Sequence, residues 1–164
     1  DGIAMSKKPC VITHAGCRAI FEHPRNKRDQ EMKALADKGG VMGIYMLPFL
    51  TPDNRQPMLA DYIAHMTHAL NVCGEDHVGI GTDLGFFPET KDDIKRDMAE
   101  EERRRKLGIG AAGENRPLYI PDANSTRKLE IVANALQKKG YGERAVEKIL
   151  GENFKRVFTE TWTV

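Results

Sequence analysis

Three short apolar runs, separated by segments with helical periodicity, constrain the fold of this chain more than any other feature. The runs cover residues 10–12, 41–47 and 77–83. The middle run is apolar at almost every position and is closed by Pro48, which is typical of a strand buried on both faces of a parallel sheet. Consecutive parallel strands are joined by right-handed helical crossovers. The pattern therefore predicts an α/β fold with parallel strands.

The segments between these runs have the spacing of amphipathic helices. We expect helices over residues 29–37 and 58–73, and in the second of them apolar residues recur every three or four positions. His65 and His68 lie off this apolar stripe. Such a pair can hold a metal, but the sequence favours a solvated helix face. Further helices are predicted over residues 92–106, between Ser125 and Gly140, and over residues 144–150 and 152–160.

The segment over residues 84–123 has no strong apolar period. Its first part, residues 92–106, is a dense mixture of opposite charges, and its second part, residues 108–121, is rich in glycine and proline. The first composition predicts a solvated helix and the second predicts a loop. A connection this long inside a compact domain is typical of a functional lid or an insertion. We therefore expect a loop or lid insertion at about residues 84–123.

Two architectures fit this order of elements. The 164 residues are enough for one domain, but a (β/α)8 barrel needs eight strands and about 250 residues. The chain is therefore either a small open α/β sheet or the C-terminal portion of a larger barrel. A helix tail expected over residues 1–8, ahead of the first strand, favours the barrel portion.

Two polar residues at strand ends are candidates for a ligand site. His14 follows the first apolar run, and Asp83 ends the third. The carboxyl ends of parallel strands face the ligand crevice, so both side chains are expected at one edge of the sheet. Neutral imidazole binds zinc, which makes His14 a candidate metal ligand, with a hydrogen-bonded structural histidine as the alternative. For Asp83 the alternative is a helix N-cap.

Composition argues against several classes of function. A net charge of +1 does not suit a nucleic-acid or membrane-surface partner. The sequence shows neither an apolar run of about 18 residues nor a visible signal peptide. Its location is left open, with the cytoplasm favoured and a periplasmic or secreted location as alternatives. Three cysteines do not make a disulfide framework, and we expect them to be free thiols.

A set of short motifs occurs along the chain between residues 8 and 158. The set comprises Ile12-Thr13-His14, His23-Pro24-Arg25-Asn26, residues 38–43, 65–68 and 74–83, and the closing stretch 149–158. In order and spacing these motifs resemble the C-terminal part of the membrane (renal) dipeptidase family, which are zinc-dependent peptidases of the amidohydrolase-like TIM-barrel class. The resemblance implies that the chain supplies about strands 6–8 of a (β/α)8 TIM barrel, with their helices.

The resemblance also implies roles for three residues. His14 matches the last histidine ligand of a binuclear Zn²⁺ site, and Arg25 matches the arginine that binds the substrate carboxylate. Asp83 matches the aspartate near the substrate amine and the proton-transfer chemistry. The other metal ligands of the family match positions ahead of Asp1, so we expect the chain alone to hold no complete zinc site. Without the resemblance, Arg25 is interpreted as a surface arginine paired with Glu22 or Asp29.

The implied activity is that of a metal-dependent dipeptidase. Alternatives are a metal-free remnant of the barrel that acts as a binding or scaffold module, and an amidase or deacetylase on the same scaffold. The residues after Asp83, Leu84-Gly85-Phe86-Phe87, differ from the Phe-Asp-Gly that is frequent in the family, which leaves the substrate open. Expected partners are a dipeptide or small amide substrate, the N-terminal half of the barrel on the same or a separate polypeptide, and a second copy in a homo-oligomer. No nucleic acid is expected.

Overall fold

One three-stranded parallel sheet organises the chain in the computed structural model, which describes residues 2–52, 55–110 and 113–162. The strands are β1 (Val11–Ala15), β2 (Val41–Ile44) and β3 (Val78–Ile80), and they lie side by side in that order. Both pairs are parallel. The predicted α/β class with three parallel strands is therefore confirmed.

The helices fall close to their predicted positions. They are α1 (Gly2–Met5), α2 (Asp29–Asp37), α3 (Leu59–Cys73), α4 (Lys91–Lys106), α5 (Lys128–Lys138), α6 (Glu143–Glu147) and α7 (Asn153–Trp162). A π-helical turn, Lys148–Glu152, joins α6 to α7 with a kink at Gly151, which confirms a break between the two closing helices. Helix α1 confirms part of the predicted helix tail, whose first residue, Asp1, lies outside the described residues.

The first strand differs from its prediction in a way that concerns the site. It runs through Ala15 rather than ending at Ile12, so His14 lies within β1 and not after it. The pairing register between β1 and β2 shifts between Ile12 and Ala15. A bulge of this kind changes the direction in which a side chain points, and bulges are common beside functional sites.

The core lies between the sheet and the helices α2, α3 and α5. Strand β2 is buried along its whole length, as its continuous apolar run predicts. At the carboxyl end of the sheet the backbones approach so closely that a Cβ atom on Gly81 would lie 2.0 Å from the carbonyl oxygen of Thr13. Only glycine fits there. Both outer strands keep one edge that no described strand pairs.

His65 corrects the prediction of a solvated helix face. Its side chain is fully buried, because the loop after β2 and the turn after β1 both cover this face of α3. Its Nδ1 accepts a hydrogen bond from the backbone N–H of Cys17 at 2.8 Å, and its Nε2 lies 3.0 Å from the carbonyl oxygen of Leu50. Burial lowers the pKa of His65 to about 4. His65 is therefore a structural link between three segments rather than a metal ligand of the surface.

The three cysteines are free, as predicted. Burial raises the pKa of the Cys17 thiol to about 12 and that of the Cys73 thiol to about 11. A thiolate is the reactive form of cysteine, so neither of these two side chains is a candidate nucleophile. No helix among the described residues is long and apolar enough to cross a membrane.

Candidate active site

The carboxyl edge of the sheet brings His14 and Asp83 together. His14 lies in β1, and Asp83 lies shortly beyond the end of β3. Nε2 of His14 is 3.9 Å from Oδ2 of Asp83, and the two side chains are 40% and 45% exposed. Two residues that are far apart in sequence therefore share one open edge, as expected for the ends of parallel strands.

The ring of His14 is held by its neighbour in the chain. Its Nδ1 lies 2.8 Å from Oγ1 of Thr13, while its Nε2 faces Asp83. A hydrogen bond at one ring nitrogen orients the ring so that the other nitrogen can bind a metal. His14 can therefore serve as one metal ligand. Within residues 2–52, 55–110 and 113–162, no group of three His, Cys, Asp or Glu side chains is arranged to hold a metal ion.

Asp83 has an uncommon backbone conformation. Its φ is +58°, and among the described residues it is the one non-glycine residue with positive φ. Aspartate tolerates the left-handed region better than most residues, but such positions concentrate at functional sites. The hydroxyl of Thr82 accepts a hydrogen bond from the next backbone N–H, that of Leu84, at 3.2 Å. The turn after β3 is therefore built to present the Asp83 carboxylate at a defined place.

Arg25 lies on the loop between β1 and α2, over an aromatic ring. Its guanidinium carbon is 4.7 Å from the centre of the Phe49 ring. The ring of His23 stacks on Phe49 at 4.8 Å, and the backbone N–H of Arg25 donates to Nδ1 of His23 at 3.2 Å. Stacking on an aromatic face favours arginine and fixes the plane of its fork of N–H donors.

Asn26 explains why the loop that carries Arg25 is rigid. It is 2% exposed, and its side-chain N–H groups donate to the carbonyl oxygens of Phe21 at 2.8 Å and Phe49 at 3.0 Å. Its side-chain oxygen accepts a hydrogen bond from the hydroxyl of Tyr45. The motif His23-Pro24-Arg25-Asn26 therefore contains two buried side chains that hold the loop and one half-exposed arginine that faces outward.

One cleft joins this edge of the sheet to the segment 84–123. It has a volume of about 280 Å³, and both Arg25 and Asp83 line it. The opposite wall comes from the segment itself, including Glu101 and Arg104 of α4 and also Glu114. His14 is not among the lining residues but lies beside Asp83. The cleft therefore brings two of the three predicted site residues together, with the third at its margin.

Sequence reasoning missed the acidic pair in this wall. Glu101 and Glu114 are 8% and 7% exposed, although Glu101 comes from a stretch whose charge predicts a solvated helix and Glu114 from a stretch that predicts a loop. Nη1 of Arg104 lies 2.9 Å from Oε1 of Glu101 and 3.4 Å from Oε2 of Glu114. Burial raises the pKa of Glu101, the nearby Glu114 carboxylate raises it further, and the hydrogen bond from Arg104 lowers it. No local pattern distinguishes these two glutamates from their exposed neighbours.

The segment is fixed to the rest of the fold at both of its ends. The side chain of Asn124 exchanges two hydrogen bonds of 2.8 Å with the backbone of Glu89. The guanidinium of Arg116 donates to the carbonyl oxygens of Pro48 at 2.6 Å and of Pro52 at 2.7 Å. Ile120 and Ala123 are buried in the core. The last residues of the segment are thus part of the main fold, whereas α4 buries only Glu101.

The model of one protein family matches the chain. It describes "Membrane dipeptidase (Peptidase family M19)" and matches residues 1–99. Among curated proteins, the chain is 29% identical over 158 residues to an uncharacterized protein in the pqqA 5′ region of Klebsiella pneumoniae, which covers 94% of the chain and 47% of that protein. It is 30% identical over 162 residues to dipeptidase ataJ of Aspergillus terreus, covering 98% of the chain and 32% of that protein.

Solved structures are similar over nearly the whole chain. An amidohydrolase from Pseudomonas aeruginosa matches with a TM-score of 0.78 and 31% identity, covering 98% of this chain and 48% of that one. A metallopeptidase from Rhodobacter sphaeroides was solved with a phosphinate mimic of the dipeptide L-Ala-D-Ala. It matches with a TM-score of 0.72 and 21% identity, covering 98% of this chain and 38% of that one. The chain therefore spans about half the length, or less, of the relatives that it matches.

Proposed function

The chain belongs to the membrane dipeptidase family, peptidase family M19, and we propose that it forms the C-terminal part of a metal-dependent dipeptidase barrel. One observation carries the proposal. Arg25 and Asp83 line one cleft of about 280 Å³, and His14 lies 3.9 Å from Asp83. A positive fork and a carboxylate then line a space suited to a small substrate with two charged ends, and an imidazole lies at its margin.

Zinc is the metal that we propose for this site. From this chain His14 would hold it through Nε2 of its ring, which faces the edge shared with Asp83, while Nδ1 lies 2.8 Å from the Thr13 hydroxyl. When bound, a binuclear zinc centre supplies Lewis-acid activation of the scissile carbonyl and of water. The remaining ligands would come from the N-terminal half of the barrel.

Arg25 would bind the C-terminal carboxylate of the substrate. A guanidinium presents two parallel N–H donors that match a carboxylate, and such a pair is both stronger and more directional than a contact with lysine. Phe49 lies below the guanidinium, and the buried Asn26 holds the loop from which Arg25 extends. Because this loop is already held, it loses little conformational freedom on binding. Arg25 can therefore select for substrates that end in a carboxylate.

Asp83 would bind the other end of the substrate. Its carboxylate can accept hydrogen bonds from a protonated α-amine, and it can carry a proton to the leaving nitrogen of the peptide bond. The turn that fixes Asp83 is independent of the loop that fixes Arg25. A site that binds both ends at a set separation selects for the length of a dipeptide.

The N-terminal half of the barrel would complete the fold as well as the site. Strands β1 and β3 each keep an edge that no described strand pairs, and exposed edges of this kind are normally covered. On α7, the rings of Phe158 and Trp162 stack at 4.4 Å, and Trp162 is 73% exposed. These surfaces suit packing against further strands and helices. A homo-oligomeric state stays a prediction.

The proposed part of His14 is tested by metal analysis of the full-length protein. His14→Ala should lower the zinc content together with dipeptidase activity, because it removes one ligand. His77→Ala is the control: this histidine lies ahead of β3, and its Nδ1 is 2.8 Å from the carbonyl oxygen of Gly40, so its loss should leave zinc in place. A parent protein that binds no metal would favour a scaffold module. Activity confined to N-acyl substrates would favour an amidase or deacetylase.

A further inference from the structure

Arg25 already faces a carboxylate within its own chain. Nη1 of Arg25 lies 3.9 Å from Oε1 of Glu114, and the Glu114 side chain is 7% exposed. This glutamate comes from the segment 84–123, whereas Arg25 comes from the loop between β1 and α2. Both line the same cleft. The distance is at the outer limit of an ion pair and longer than the hydrogen-bonded contact that a guanidinium makes with a bound carboxylate.

We propose that Glu114 is a specificity-determining residue, whose carboxylate competes with the carboxylate of the substrate for Arg25. The inference rests on the proposed function of Arg25 in binding a C-terminal carboxylate. Glu114 should make the preference for substrates with a free C-terminal carboxylate weaker than it would be if Arg25 had no carboxylate beside it. Substrates that lack a C-terminal carboxylate, such as peptide amides, are correspondingly less disfavoured.

The residues around Glu114 lower the free-energy cost of replacing its carboxylate at Arg25 with that of the substrate. Its other oxygen, Oε2, lies 3.4 Å from Nη1 of Arg104, so Glu114 keeps a cation when the substrate takes Arg25. Arg104 in turn has a second partner in Glu101 at 2.9 Å. The free-energy cost would be much larger for a buried carboxylate that lost its only cation.

The competition is tested by equilibrium binding to the zinc-loaded full-length protein. The probes are a phosphinate analogue of Ala-Ala with a free C-terminal carboxylate and the same analogue as its C-terminal amide, measured by calorimetry. Glu114→Gln should bind the acid about three- to tenfold more tightly than the parent does, and the amide equally well. In an Arg25→Lys background the same substitution should have a smaller effect on the acid, because the competition acts through Arg25.

Glu102→Gln is the matched control. Glu102 lies on α4 and carries the same charge, but it pairs with Arg105 at 2.6 Å on the exposed face and does not line the cleft. Its loss should leave both affinities unchanged. Glu114→Asp provides a second variant that keeps the charge but withdraws it from Arg25, and it should also favour the acid. Thermal unfolding of each variant shows whether the fold is kept.

The outcomes separate this inference from the proposed function. Weaker or unchanged binding of the acid by Glu114→Gln, or an equal change for acid and amide, would overturn the competition. A parent that binds the probes but hydrolyses no dipeptide would overturn the dipeptidase proposal alone, since binding still measures the competition. A parent that binds neither probe would overturn both.

Discussion

Helices α3 and α4 have similar lengths, 15 and 16 residues, but they are held in opposite ways. Seven residues of α3 are buried, whereas in α4 only Glu101 is. The surface of α4 is covered instead by ion pairs between residues three apart, such as Glu100 with Arg103 at 2.7 Å. Exposed pairs contribute little to folding stability. The difference indicates that α3 stabilises the fold, while α4 contributes to a wall of the cleft with little buried surface of its own.

A matched pair of methionines tests this contrast in stability. Met66 of α3 is fully buried, and Met98 of α4 is only partly buried. Met66→Ala should lower the free energy of unfolding by about 2–5 kcal/mol, because it leaves a cavity in the core. Met98→Ala should cost less than about 1 kcal/mol. Denaturant unfolding of the two variants measures both values, and equal losses would remove the distinction between the helices.

The two histidines of α3, His65 and His68, differ in burial and should therefore differ in their effect on the pH dependence of stability. Burial lowers the pKa of His65 to about 4, against an ordinary value of 6.5. The unfolded chain therefore binds a proton in this range that the folded chain does not. The contribution of neutral His65 to stability is complete above pH 6.5 and is lost as the pH falls towards 4, by about 3 kcal/mol.

This loss can be isolated by substitution. Between pH 7 and pH 4 the free energy of unfolding of the parent should fall further than that of His65→Gln, which has no proton to gain. His68→Gln is the control, because His68 is partly exposed and its Nε2 lies 2.8 Å from Oδ1 of Asp29. It should retain the steep pH dependence of the parent. Equal pH profiles for the parent and His65→Gln would contradict the buried neutral state.

Replacement of α4 tests the wall of the cleft directly. The exchange should cover residues 91–110 rather than the whole segment, since Ile120 and Ala123 are in the core. A Gly-Ser linker there should lower kcat/KM by about tenfold across dipeptide substrates, because the site loses the wall that excludes water. The free energy of unfolding should change by less than about 1 kcal/mol. Unaltered kinetics would show that α4 has no part in substrate access.

The sequence predicts the elements of this fold well where a period of apolar residues is long. The run over residues 41–47 is buried throughout, although only Val41–Ile44 forms strand β2, and the helix predicted over residues 58–73 is confirmed as Leu59–Cys73. Burial on a sheet or a helix face imposes that period. The edge that His14 and Asp83 share is also predictable, since parallel strands place their carboxyl ends together. The chemical roles of His14, Arg25 and Asp83 stay predictions.

What the sequence does not predict are contacts between segments that are distant along the chain. His65 has the same local surroundings whether a loop covers it or not, and its burial depends on the segment that contains Leu50. Glu114 and Arg25 are separated by most of the chain, and no period links them. Glu114 lies in a glycine- and proline-rich stretch that predicts only a loop, so the fold is needed to show that this glutamate lines the cleft.

The central claim is that Arg25 and Asp83 bind the two ends of a dipeptide. Steady-state kinetics of the full-length protein on Ala-Ala and its C-terminal amide test it most directly. Arg25→Lys should raise KM by about tenfold for the dipeptide but hardly for the amide, since lysine lacks the fork. Asp83→Asn should lower kcat by a factor of about 10²–10⁴ with zinc still bound. Near-parental kcat in Asp83→Asn, or an Arg25→Lys variant that does not distinguish the two substrates, would contradict the account.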